Sequence, residues 1–78
     1  MREKEDKLVI TFHTTTEAMA VEQACKRDGI PGRIIPVPRE ISAGCGLSFS
    51  MPKEWDGKMS DYLLKQGLSY EAAGIYRI

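Results

Sequence analysis

One histidine, two cysteines and no surplus of either charge are the scarcities of this 78-residue chain, and each removes a class of function. His13, Cys25 and Cys45 are spread too widely to match a compact metal-ligand spacing, so no metal is expected, and no motif implies a cofactor. Eleven Lys and Arg balance eleven Asp and Glu. No global basic field therefore exists to drive binding to nucleic acid or a membrane surface. No apolar run approaches membrane-spanning length. Thr14, Thr15 and Thr16 lack the glycine-rich turn and following lysine of a phosphate loop, and read better as helix capping. Two cysteines are too few for a disulfide-stapled scaffold.

What is present suits one small folded domain. Apolar residues make up 42% and charged residues 28%, values of a globular rather than a disordered chain. A chain this short buries about 60% of its unfolded surface, which allows two packed layers. The charged segment Met1–Lys7 is followed by no long apolar stretch, which argues against a signal peptide and for a cytoplasmic setting. The expected division is a charged tail over 1–6 and a single domain over 7–78.

Hydrophobic period places the elements. Leu8 to His13 alternates, with Leu8, Ile10 and Phe12 on one side and Val9, Thr11 and His13 on the other, as in a half-buried strand. Thr14 and Glu17 have capping-box spacing: the Thr hydroxyl accepts from the Glu17 N–H and the Glu side chain reaches back. The helix that follows carries Ala18, Val21, Ala24 and Cys25 on its inner stripe and stops at Gly29-Ile30. Arg33 to Val37 is extended but contains Pro36, which confines it to a sheet edge. Leu47 to Met51 alternates more cleanly and reads as a central strand with Ser48 and Ser50 outward. Trp55, Met59, Tyr62 and Leu63 mark a second helix between Pro52 and Gln66, with Gly57 obscuring its start, and Gly67-Leu68 repeats the first helix's ending. Ala73 to Ile78 reads as a last strand.

The order β-α-β-β-α-β predicts an α+β, ferredoxin-like fold, the split βαβ arrangement, with two helices on one face of a four-stranded antiparallel sheet. Pairing of the first and third strands would bring His13 to the end of the sheet where Cys45 lies. The second face, with Val9, Thr11, Ser48 and Ser50, and the Pro36 edge are expected to be open, for weak self-association or docking.

Cys45 sits between Gly44 and Gly46 in the segment Pro36-Val37-Pro38-Arg39-Glu40-Ile41-Ser42-Ala43-Gly44-Cys45-Gly46. Flanking glycines leave the backbone unshielded and able to turn, and successive free N–H groups in such a turn favour a negative charge. The first helix's dipole and a cation from Arg39, Arg33 or protonated His13 act the same way, and the thiolate is the reactive form of cysteine. An acyl-transfer enzyme would need a base held by a third group, a pocket and an oxyanion hole. A nucleophile without them fits a covalent carrier better than a stand-alone enzyme. Cys25, on an apolar helix face, reads as core.

The segments Val9-Ile10-Thr11-Phe12, Gly29-Ile30-Pro31 and above all Ile35-Pro36-Val37-Pro38-Arg39-Glu40-Ile41-Ser42 followed by Cys45-Gly46-Leu47 resemble the selenium/sulfur carrier protein-like family. The resemblance spans Leu8 to Phe49 and is loose after Met51. It implies a carrier that holds sulfur or selenium, as a persulfide or perselenide, on the cysteine matching Cys45. Its implied partners are a protein donor of cysteine desulfurase or selenocysteine lyase type and an acceptor protein. Arg39, Ser42 and Gly46 share that motif and are supporting candidates, with Gly44 added as the other flanking glycine, His13 from the topology and Arg33 for its charge. The competing class is a non-catalytic ferredoxin-like binding or regulatory module, in which Cys45 is a turn or redox-sensing residue.

Overall fold

The computed structural model describes residues 5–38, 41 and 46–77. Strand β1 (Asp6–Thr11) leads into helix α1 (Thr15–Asp28), followed by β2 (Arg33–Pro36), β3 (Leu47–Pro52), a short 3₁₀ turn (Lys53–Trp55), α2 (Lys58–Gln66) and β4 (Ala72–Arg77). The strands form one antiparallel sheet in the order β2-β3-β1-β4. This is the predicted α+β ferredoxin-like arrangement, with β1 and β3 as central neighbours.

The alternation of β1 decides which face is core. Leu8, Ile10 and Phe12 project toward the helices and meet Phe49 and Met51 of β3. Ala18, Val21 and Cys25 of α1 and Met59 and Leu63 of α2 close the layer from above. Burying each large side chain here contributes about 1.5–3 kcal/mol. Gly32 is part of the same packing: at φ 149°, a Cβ on it would lie 2.5 Å from the Phe49 ring.

Both helices end alike, for the reason the sequence suggests. Gly29 and Gly67 adopt left-handed conformations (φ 70° and 68°). The next residue's N–H then reaches back over the last turn, Ile30 to the Cys25 carbonyl at 2.8 Å and Leu68 to the Leu63 carbonyl at 3.0 Å. Their starts differ. Thr14 Oγ1 caps α1 by accepting from Glu17 N–H at 3.2 Å, whereas Gly57, at φ 83°, leaves α2 without a side-chain cap. The second helix accordingly begins only at Lys58, after the 3₁₀ turn.

The Glu17 carboxylate reaches back as expected, accepting from the N–H of His13 at 2.7 Å. Two expectations are corrected. The Glu17 bond takes the His13 N–H for the turn, and β1 ends at Thr11 rather than His13. The second sheet face is also not open at its centre: Val9, Thr11 and Ser48 are buried there, with only Ser50 partly exposed. Thr11 and Ser48 tolerate burial because their hydroxyls donate to the Ala72 and Ile35 carbonyls. Ile41, from the connection between β2 and β3, lines a hollow on this face together with Val9, Thr11 and Tyr76.

Candidate functional site

The β2–β3 connection starts from a closed base. Val37 N–H donates to the Gly46 carbonyl at 3.1 Å, one pair beyond the Pro36–Leu47 register, and Ile41 N–H donates to the Pro38 carbonyl at 3.0 Å. Gly46 stands at φ 77°, with open space where a Cβ would point. Its glycine is thus required by backbone conformation, not by crowding. Cys45, Gly44, Ser42 and Arg39 lie outside the described residues.

Register fixes what shares this end of the sheet. Thr11 faces Ser48, so His13 lies two residues beyond that pair on β1's side and Gly46 two residues before it on β3's side. The N-terminus of α1 opens at the same end. The His13 ring is exposed, and its Nδ1 lies 3.2 Å from Glu17 Oε1. Glu17 is held below the usual carboxylate range, chiefly by the bond from the His13 backbone N–H. Arg33 is not brought to this end. It opens β2 opposite Ser50, four residues along β3 from Gly46, or roughly 13 Å at the rise of an antiparallel strand.

The second thiol has the opposite surroundings. Cys25 is free, 1% exposed and packed in the core. Burial, with a smaller contribution from the Asp28 charge, pushes its thiol up to about 11. Asp28 belongs to a cluster that ties the helices together: Arg27 donates to Asp28 and, at 2.8 Å, to Gln66 Oε1, while the Tyr62 hydroxyl contacts Asp28 and the Ala24 carbonyl. Asp28 is held below its ordinary value mainly by the Arg27 bond, and Tyr62 is raised, first by burial and then by its bond to Asp28.

Beside the loop base, on the face away from the helices, is a cavity of about 340 Å³ lined by Val9, Thr11, Ile41, Glu71 and Tyr76 among others. The Tyr76 ring lies against Gly74, where a Cβ would sit 3.2 Å from it. Sequence reasoning missed this hollow and the His13–Glu17 pair. Their signals were Ile41, an apolar residue inside a polar glycine-rich connection, and the capping-box spacing, which named Glu17 but not its partner. Among the described residues no group of His, Cys, Asp or Glu could hold a metal ion, and no helix is long and apolar enough to cross a membrane.

No curated protein and no solved structure matches the chain significantly. A family model described as "Putative Se/S carrier protein-like" matches residues 7–77. That span covers the whole sheet except Asp6, both helices and the glycine-flanked cysteine, and the chain belongs to this selenium/sulfur carrier protein-like family.

Proposed function

We propose that the protein carries sulfur or selenium on Cys45 between a donor of cysteine desulfurase or selenocysteine lyase type and an acceptor protein. The observation that carries the reading is the exclusion of the other thiol. A carrier needs a thiolate that a partner can reach, and Cys25 is buried with its thiol held protonated. Within a family of carriers, that leaves Cys45. The conformation of Gly46 and the α1 N-terminus at the same end of the sheet support a thiolate there.

The transfer balances without a net oxidant. The Cys45 thiolate attacks the outer sulfur of a donor persulfide, a new S–S bond forms, the donor's S–S bond breaks, and the donor cysteine leaves as a thiolate. The proton on the outer sulfur stays with it, giving Cys45–S–SH. Release to an acceptor repeats the step with the acceptor's thiolate attacking. With selenium the transferred atom differs and the bookkeeping is the same. His13, paired with Glu17, lies at the same end of the sheet as Gly46.

Intact-mass analysis of protein isolated without reductant tests the reading. It expects a species heavier by about 32 mass units for sulfur or about 80 for selenium, lost on reduction and mapping to Cys45, as for a reversible persulfide cap. An unmodified mass after incubation with a loaded desulfurase would count against the carrier and favour a binding or regulatory module of the same fold.

A further inference from the structure

The two edges of the sheet are built differently. On β2 the edge is only Arg33–Pro36, and Pro36 removes an N–H. On β4 it is Ala72-Ala73-Gly74-Ile75-Tyr76-Arg77, with no proline, no lysine and a single charge at its far end. Among the described residues no strand lies beyond it. Native sheets guard such edges, because a row of unpaired N–H and C=O groups is a template for another strand.

The phase of the ladder identifies which groups β4 presents. The Val37–Gly46 bond joins residues directly opposite one another, which makes Ile35–Ser48 and Arg33–Ser50 hydrogen-bonded pairs by alternation. Phe49 and Met51 therefore bond toward β1, and Val9 and Thr11 toward β4, facing Gly74 and Ala72. Ala73, Ile75 and Arg77 are left with their N–H and C=O groups pointing outward. Side chains add a second reason to pair. Ile75 is 41% exposed at this edge. Leu64, 81% exposed, lies on the flank of α2 turned away from Tyr62 and Gln66, which face α1. Because α1 packs on β2 and β3, that flank is the one on the β4 side.

We propose that β4 pairs antiparallel with β4 of a second copy of this chain, making a continuous eight-stranded sheet. Both copies can bond fully only in registers that match an outward residue with an outward residue. The one with Gly74 on the two-fold axis sets Ala73 opposite Ile75, so each isoleucine meets a small side chain. It also brings Glu71, just before one strand, to the end where Arg77 of the second copy lies, twice over. Arg77 also meets Asp6 of its own chain at 3.4 Å, but both groups are largely solvent-facing and the guanidinium keeps donors for a second carboxylate. Glu71 at one end and Arg77 at the other then make the edge complementary to itself only in the antiparallel sense, which selects a second copy over an arbitrary strand. Gly46, the base of the β2–β3 connection, lies at the Glu71 end, so the dimer places the two bases at opposite ends of the seam.

Sedimentation equilibrium from micromolar to on the order of 1 mM protein reads the dimer directly. Wild type is expected to show a monomer–dimer equilibrium. Ala73→Pro removes an outward N–H while sparing the ladder to β1, and should leave only monomer. If that variant melts abnormally, Ile75→Lys, which puts a charge into the seam, decides instead. Glu71→Lys should raise the dissociation constant about tenfold at low salt, and adding Arg77→Glu should recover it. A strict monomer throughout the range would overturn the proposal. So would a dimer unchanged in Ala73→Pro and Ile75→Lys, or a Glu71→Lys chain that dimerises as well as wild type. None of these outcomes touches sulfur transfer, which depends on neither edge.

Discussion

The two cysteines have dissimilar neighbours in the sequence, and the core in which the structure places Cys25 sharpens the contrast. Cys25 is one residue of an apolar helical stripe whose neighbours Ala18, Val21 and Ala24 are all buried. Its carbonyl accepts the N–H that ends the helix, and its thiol is held protonated by its surroundings. Cys45 follows a glycine and precedes another, the second of which adopts a backbone angle open almost only to glycine. The same atom is thus packing material in one place and a candidate nucleophile in the other. Desolvation is what disqualifies Cys25: transferring a thiolate into the core is unfavourable, so sulfur chemistry belongs where backbone donors and water remain.

The largest effect that could break this contrast is kinetic. In the folded protein, an alkylating reagent should modify Cys45 about a thousandfold faster than Cys25, whose reaction must await opening of the core. The rate at Cys45 should rise with a midpoint below the free-thiol value of about 8.5. Peptide mapping after timed labelling checks both, and comparable rates at the two sites would dissolve the distinction.

Alkaline pH sharpens it from the side of Cys25. Its folded value, about 11, stands above the ordinary value of 9.0, so the protonated thiol contributes stability that is complete below pH 9. Above pH 9 the unfolded chain loses its proton first, and that contribution falls until pH 11. A separation of that size corresponds to about 2–3 kcal/mol. Tyr62, also raised, acts in the same direction, so the comparison is between wild type and Cys25→Ala in denaturant melts from pH 8 to 11. An equal alkaline loss in both would show that Cys25 does not titrate as its burial requires.

At neutral pH the effect is smaller. Cys25→Ala should cost about 1–2 kcal/mol through lost contacts in the core, while Cys45→Ser should stay within about 0.5 kcal/mol of wild type. Urea midpoints at unchanged slope measure both, and the reverse order would contradict the packing assigned to Cys25.

How much of this was legible in the sequence follows from the range of each interaction. Local signals were sufficient for the helix ends: Thr14 and Glu17 are three residues apart, and Gly29-Ile30 and Gly67-Leu68 announce their own left-handed stops. Alternation in β3 and Pro36 marked a central and an edge strand, and the usual strand order of the β-α-β-β-α-β arrangement supplied the pairing of β1 with β3. The burial of Val9, Thr11 and Ser48 on the second face was not legible, because residues such as Ile41 and Tyr76, which share a hollow there with Val9 and Thr11, are distant in sequence and brought over by the fold. Arg33 was grouped with the cysteine by charge alone, while the register sets it at the far end of β2. Glu17 reaches back over the helix start as its spacing from Thr14 indicates, but that it takes the His13 N–H, one residue before the cap, is a detail spacing cannot resolve.

The most direct test of the carrier is transfer from a persulfide-loaded desulfurase to wild type, Cys45→Ser and Cys25→Ala, followed by intact mass and by passage to an acceptor thiol. The account predicts a reducible adduct that is transferred onward by wild type and by Cys25→Ala at a temperature where both are folded, and none on Cys45→Ser despite a native melt. Equal loading of Cys45→Ser and wild type, or loss of loading only in folded Cys25→Ala, would contradict it.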